Sequence, residues 1–234
     1  MMSMLHVKKY NEPIWDIKEI LRYIGCRESS EEIDGLITQC ISELKQKLSY
    51  KVVFTTLKKK DFCKISKDCL DDTDKALPFE SRSLAKNLQS CEDIIIFAAT
   101  IGIEIDRLIS KYSRLSPAKA LCFQAIGAER IESLCNTFNS EVRQELCARG
   151  LSAKPRFSPG YGDFPLYTQR LIFDLLDCPR KIGLSLNESL IMSPSKSVTA
   201  IIGISNETQD HFNDENHPSS CSECSSTNCN FRKE

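Results

Sequence analysis

From Ser116 to Gly150 a single helical repeat of apolar residues runs unbroken, and nothing else in the 234 residues restricts the fold as strongly. Leu121, Ala125, Ala128, Ile131, Cys135, Phe138, Val142 and Leu146 recur at three- and four-residue steps. Ser116 before Pro117 gives an N-cap with proline at the first helical position, and Gly150 is the stop. Such a helix is about 50 Å long at the standard rise. The remaining elements must therefore be laid along it. Ala125, Gly127 and Ala128 are small, so something packs close there, and a sheet is the expected neighbour.

Before the long helix the pattern alternates between helix and strand. Asp16 to Tyr23 reads as a short helix preceded by Pro13. Ser29 and Ser30 offer an N-cap with Glu31 and Glu32 in the first turn. Ile33, Leu36, Ile37, Cys40, Ile41, Leu44 and Leu48 then mark a helix. Tyr50 to Leu57 is β-branched and aromatic and predicts a strand, with Phe62 to Ile65 as a short second one. Asp71 to Asp74 is a turn cluster, and Ser81 to Leu88 suits a short helix. Ile94 to Ile101 predicts a buried central strand ending at Gly102, and Ile103 to Tyr112 a further helix. After the long helix come a turn-rich loop over 156–165, a helix over 166–176, and strands over 182–186 and 198–204. The expected organisation is an N-terminal extension over 1–28, a body over 29–204, and a polar cysteine-containing tail over 205–234.

Composition removes several functions. Lys and Arg number 31 against 32 Asp and Glu, so no field of one sign favours nucleic acid or a membrane surface. The longest apolar run is too short to span a bilayer, and residues 1–10 do not form a secretory signal, which points to the cytoplasm. All three histidines, His6, His211 and His217, lie near the ends. A histidine-based catalytic unit or metal centre inside the body is thereby excluded. Nine of the twelve cysteines are scattered and read as reduced, buried apolar residues.

The densest chemistry lies in the ten residues from Arg156 to Pro165 (RFSPGYGDFP). Pro159-Gly160 fits the centre of a type II turn, proline presetting one torsion and glycine supplying positive φ. The turn fixes Arg156 before it and Tyr161 after it. Arg156 offers a planar fork for a carboxylate or phosphate, and Tyr161 a ring and a hydroxyl. Alternatively this is a structural loop with Arg156 in a surface ion pair. A second segment, Ile182 to Val198, carries Glu188, several hydroxyls and Lys196, and by itself reads as a serine-rich connection.

Taken together, the two segments resemble a known family. The pattern R-x-[AS]-P-G-Y is met by Arg156, Ser158, Pro159, Gly160 and Tyr161. The pattern G-[IL]-x-L-[TN]-E-S-x-x-M-x-P-x-x-S-V is met from Gly183 through Glu188, Met192 and Pro194 to Val198. Both look like the activation (reactivation) domain of cobalamin-dependent methionine synthase, here without a corrinoid module, since D-x-H-x-x-G is absent. The resemblance implies an α+β fold with a twisted antiparallel sheet flanked by long helices. It also implies S-adenosylmethionine bound in a shallow groove and a cap over the cobalamin of a corrinoid-binding methyltransferase partner. An electron from a flavodoxin- or ferredoxin-type donor and a methyl group from S-adenosylmethionine would then restore the oxidised cobalamin. By position, Arg156 would hold the cofactor's carboxylate, the backbone of Ser158, Pro159 and Gly160 would contact the ligand, and Tyr161 would face the corrin as the residue nearest the chemistry. Glu188 and Glu132 would complete the cofactor site. The family's glutamate on the long helix falls at Ser133 in this chain, with Glu132 one residue away, and the family's later tyrosine has no counterpart.

Two further readings stand beside this one. His217, Cys221, Cys224 and Cys229 include the Cys-x2-Cys spacing that lets two thiolates share a metal. The tail could hold zinc or an iron–sulfur group, which would make the protein a metal-binding or redox adaptor, or it could form a reversible thiol pair. An independent enzyme would have to use Tyr161 and Glu188 as acid and base.

Overall fold

In the computed structural model, residues 4–26, 28–62, 64 and 81–206 are described. Along the chain they form β1 (His6–Lys9), α1 (Ile17–Ile24), α2 (Glu31–Leu44), β2 (Lys51–Lys58), α3 (Arg82–Asn87), β3 (Cys91–Thr100), α4 (Glu104–Leu115) and α5 (Pro117–Cys147). There follow β4 (Ser152–Ala153), α6 (Thr168–Leu176), α7 (Cys178–Ile182), β5 (Ser185–Leu186), β6 (Met192–Ser193) and β7 (Ser197–Ser205). Five strands make one antiparallel sheet in the order β1-β2-β3-β7-β4, and β5 and β6 pair as a separate hairpin. The expected α+β architecture, an antiparallel sheet flanked by helices, is the one observed.

The sheet is buried on both faces, which is why β3 is apolar at consecutive positions rather than alternating. Ile95, Phe97 and Ala99 join α1, α2, α4 and α5 in one core. Ile94, Ile96 and Ala98 join α3, α6 and α7 in the other. Phe138 of α5 anchors the first core, its ring 4.9 Å from that of Phe97 and 5.2 Å from that of Phe54.

Local signals hold at most helix starts. The side chains of Asp16, Ser30, Ser81 and Ser116 each accept the expected N-terminal N–H. Several expectations are corrected. Residues 59–62 are helical, so Phe62 is not in a strand; its ring is fully buried in the second core. Ile182 ends a helix instead of beginning a strand, because left-handed Asp177 is followed by Cys178 and Pro179, which start a new helical turn. Helix α6 begins at Thr168, after three-residue turns closed onto Pro165, Leu166 and Tyr167. The small stretch of α5 packs in one core with Phe97, Ala99 and Ala200 of the sheet, and at Gly127 the closest approach is to Lys196, just before β7, and to Ile105 of α4: a Cβ there would lie 2.9 Å from Lys196 Cγ and Cε and 3.0 Å from Ile105 Cγ1. Burial pushes the Lys196 amine below its usual range.

The N-terminal residues contribute β1, which pairs with β2, while Lys8 and Tyr10 bond to Glu141 of α5. The turn cluster Asp71–Asp74 and the cysteines Cys221, Cys224 and Cys229 lie outside the described residues. Among the described residues no helix is long and apolar enough to cross a membrane.

Candidate functional site

The candidate site is built on the sheet edge. β4 pairs Ala153 with Ile204, and further on Phe157 pairs with Ile201. The chain takes four steps from Ala153 to Phe157 while β7 takes three from Ile204 to Ile201. One extra residue is therefore accommodated, as in a β-bulge, and it exchanges the faces to which later side chains point. Phe157 consequently packs beside the second core, 6.0 Å from the ring of Phe164. Arg156 points the other way, onto α5.

There the Arg156 guanidinium forms an ion pair with Glu132 through Nη2, and its Nη1 donates to Asn136 Oδ1 at 3.3 Å. Glu132 and Asn136 are four residues apart and so share a helix face. The pair is not sealed: the side chains are 22% and 41% exposed. Ser133, the direct sequence match to the family's glutamate, turns elsewhere and donates to Glu129 Oε1 at 2.6 Å. Cys135, fully buried in the same stretch of α5, has its thiol pushed up to about 12 by burial.

Beyond Phe157 the expected turn is present. The Tyr161 N–H donates to the Ser158 carbonyl at 3.2 Å, with Gly160 at φ 94°. Gly160 N–H donates to the Phe164 carbonyl and Phe164 N–H to the Tyr161 carbonyl, which closes the loop on itself. Pro159 and Phe164 are buried, whereas Tyr161 is 67% exposed and Leu166 44%.

A residue that sequence reasoning missed secures this loop. Asp163 accepts from the Ser81 hydroxyl at 2.5 Å, from Arg82 N–H at 2.7 Å and from Ser83 N–H at 3.0 Å, and so caps α3 from across the chain. The Ser81 hydrogen bond, joined by those from Ser83 and Arg82, holds the Asp163 carboxyl well below the usual carboxylate range. Gly162, at φ 55°, lets the loop approach so closely that a Cβ would lie 2.8 Å from Ser83 Oγ. No sequence signal links Asp163 to a helix start some eighty residues earlier.

A buried cluster one turn before Glu132 was also missed. Arg130 and Glu129 are 0% and 1% exposed and form an ion pair. Arg130 donates to the carbonyls of Pro13 at 2.6 Å and Ile14 at 2.8 Å, and lies 3.9 Å from the centre of the Trp15 ring. Asp16 N–H donates to Glu129. The available signal was phase: positions 129 and 130 belong to the buried stripe of α5, whereas Leu121, read as part of that stripe, is 51% exposed.

Of the expected site residues, the structure joins Arg156 to Glu132 and places Ser158, Pro159, Gly160 and Tyr161 in one turn. Glu188 sits at the exposed tip of the β5–β6 hairpin, where Asn187 closes the turn and the Glu188 carbonyl accepts from Arg170. No hydrogen bond joins it to Arg156 or Tyr161, so the acid–base pairing of Tyr161 with Glu188 finds no support in the geometry. Among the described residues, no three potential metal ligands converge.

The chain is thus an α+β module whose sheet edge carries a tied-down loop with a half-buried guanidinium and an exposed phenol. The family model described as vitamin B12 dependent methionine synthase, activation domain, matches residues 83–215, more than half of the chain, and the chain belongs to this family. Among solved structures, a crystal structure of the MetH reactivation domain bound to AdoHcy is similar, with a TM-score of 0.56 and 15% identity over 89% of this chain and 81% of that one. At that identity the likeness speaks for the fold.

Proposed function

We propose that this protein reactivates a cobalamin-dependent methyltransferase of the methionine synthase type, acting in trans on the corrinoid-binding partner. It binds S-adenosylmethionine at the Arg156 turn and caps the corrinoid during reductive remethylation. The methyl group comes from S-adenosylmethionine, the cobalamin stays on the partner, and the electron comes from a flavodoxin- or ferredoxin-type donor. In this reading Arg156 binds the α-carboxylate of the ligand, its planar fork suiting two carboxylate oxygens. The backbone of Ser158 and Gly160 lines the ligand, and Gly160 leaves no side chain in its way. Tyr161 presents an exposed ring to the flat apolar face of the corrin. Glu188, on its separate hairpin, is assigned to the cofactor site by the family pattern alone.

The observation that carries this reading is the edge-strand bulge, which puts a solvent-reachable guanidinium directly before a rigid turn with an exposed phenol. Isothermal titration with S-adenosylmethionine tests it. Binding is expected for the native protein and strong loss for Arg156→Gln. Tyr161→Ala is expected to keep ligand affinity while lowering affinity for the corrinoid partner. A folded native sample that takes up no S-adenosylmethionine refutes the proposal.

A further inference from the structure

The guanidinium assigned to the ligand carboxylate already holds a carboxylate of the chain itself. Arg156 Nη2 is paired with Glu132 and Nη1 bonds to Asn136, so both terminal nitrogens of the fork are engaged. Among the described residues Glu132 has no other hydrogen-bond or ion-pair partner, and its side chain is 41% exposed, free to swing into water when released. The Glu132 charge is also felt by Tyr23 on α1, whose phenol is shifted upward by burial and by that charge, and by the buried Cys135 thiol.

We infer that Glu132 is an internal occupant of the carboxylate subsite, a stand-in that an amino-acid-bearing ligand must displace before Arg156 can bind it. The inference rests on the assignment of Arg156 given above. It replaces the expectation that Glu132 binds the cofactor directly with a different role: Glu132 sets the threshold for ligands that carry an α-carboxylate. A ligand without that group has nothing to displace. The chemistry explains the choice of side chain. A partly exposed arginine–carboxylate pair is worth only a modest amount, so it keeps Arg156 oriented over α5 in the free protein and still yields to a second carboxylate. An aliphatic residue at 132 would leave Arg156 held by Asn136 alone, whereas a buried pair like that of Glu129 and Arg130 would not yield.

The test compares S-adenosylhomocysteine, which keeps the amino-acid group, with 5′-methylthioadenosine, which lacks it, by titration calorimetry on the native chain, E132Q and R156Q. E132Q is expected to tighten S-adenosylhomocysteine about two- to fivefold, the range that loss of a partly exposed ion pair allows, and to leave 5′-methylthioadenosine unchanged. R156Q is expected to weaken S-adenosylhomocysteine alone. If E132Q weakens S-adenosylhomocysteine, Glu132 is a ligand for its amine and the inference is overturned while the site stands. Equal tightening of both ligands, or no change in either, overturns it as well. If the native chain binds S-adenosylhomocysteine not at all, the site assignment fails first and the inference falls with it.

Discussion

Replacing Arg130 by methionine tests whether the buried ion pair fastens the N-terminal segment to the long helix. Methionine fills much of the volume but donates nothing. Glu129, 1% exposed, would keep only the Asp16 N–H at 3.3 Å and the Ser133 hydroxyl at 2.6 Å. The carbonyls of Pro13 and Ile14 would lose their donor, and the Trp15 ring its cation. A buried charge stripped of its partner costs about 3–5 kcal/mol. The two carbonyls can recover water if the segment lifts, so they add little in the relaxed state. That loss is a large fraction of a typical stability of about 5–15 kcal/mol. Urea unfolding followed by circular dichroism measures the global loss. The fluorescence of Trp15, the sole tryptophan, reports whether residues 13–16 detach first. The double variant E129Q/R130M is expected to recover most of the loss, since removing both charges avoids an unpaired one. A single-variant cost below about 1 kcal/mol, with unchanged tryptophan emission, would refute the reasoning, because an exchangeable surface pair would then account for it.

Other expectations follow from the same geometry. Asp163→Asn should lower stability near neutral pH. Because the folded Asp163 carboxyl is held below the unfolded value of about 3.9, its contribution is complete above that value and is lost as the pH falls through the folded one. Denaturation at stepped pH should therefore show the native and variant curves converging only in acid. Gly162→Ala forces a side chain into left-handed backbone against Ser83 and should cost about 1–2 kcal/mol, measured by the unfolding midpoint. Phe138→Ala empties the junction between the rings of Phe54 and Phe97 and should cost about 3–5 kcal/mol in the same assay.

How far the sequence discloses this architecture depends on the range of the interactions. Helix starts at Asp16, Ser30, Ser81 and Ser116 are written in side chains that bond three residues ahead. The Pro159-Gly160 turn is equally local. β1 escapes notice because His6 to Lys9 has no apolar alternation; it is a strand only by virtue of its pairing with Val52 and Val53 of β2. β4, two residues long, exists only against Ile204 and Ser205. Phe62 carries strand-like character yet meets its core from a helical turn. For the site, the turn and its arginine were legible, but the partner of Arg156 was not. The pairing with Glu132 depends on which face Arg156 occupies, and one extra residue between Ala153 and Phe157 decides that.

That same bulge connects the fold to the proposed activity. The loop from Arg156 to Phe164 is tied at three places: to β7 through the two Phe157–Ile201 hydrogen bonds, to α3 through Asp163, and to α5 through Arg156. The first is a backbone ladder, and the second is a carboxylate receiving two N–H groups and a hydroxyl. Neither can be exchanged for a ligand without unfolding the loop. The third is a partly exposed pair between side chains, and nothing but its own modest energy opposes its replacement. A binding loop needs rigid attachments to hold its geometry and one labile attachment to admit a guest. Here the division falls where the side-chain alternation of a single edge strand sends Phe157 to one face and Arg156 to the other.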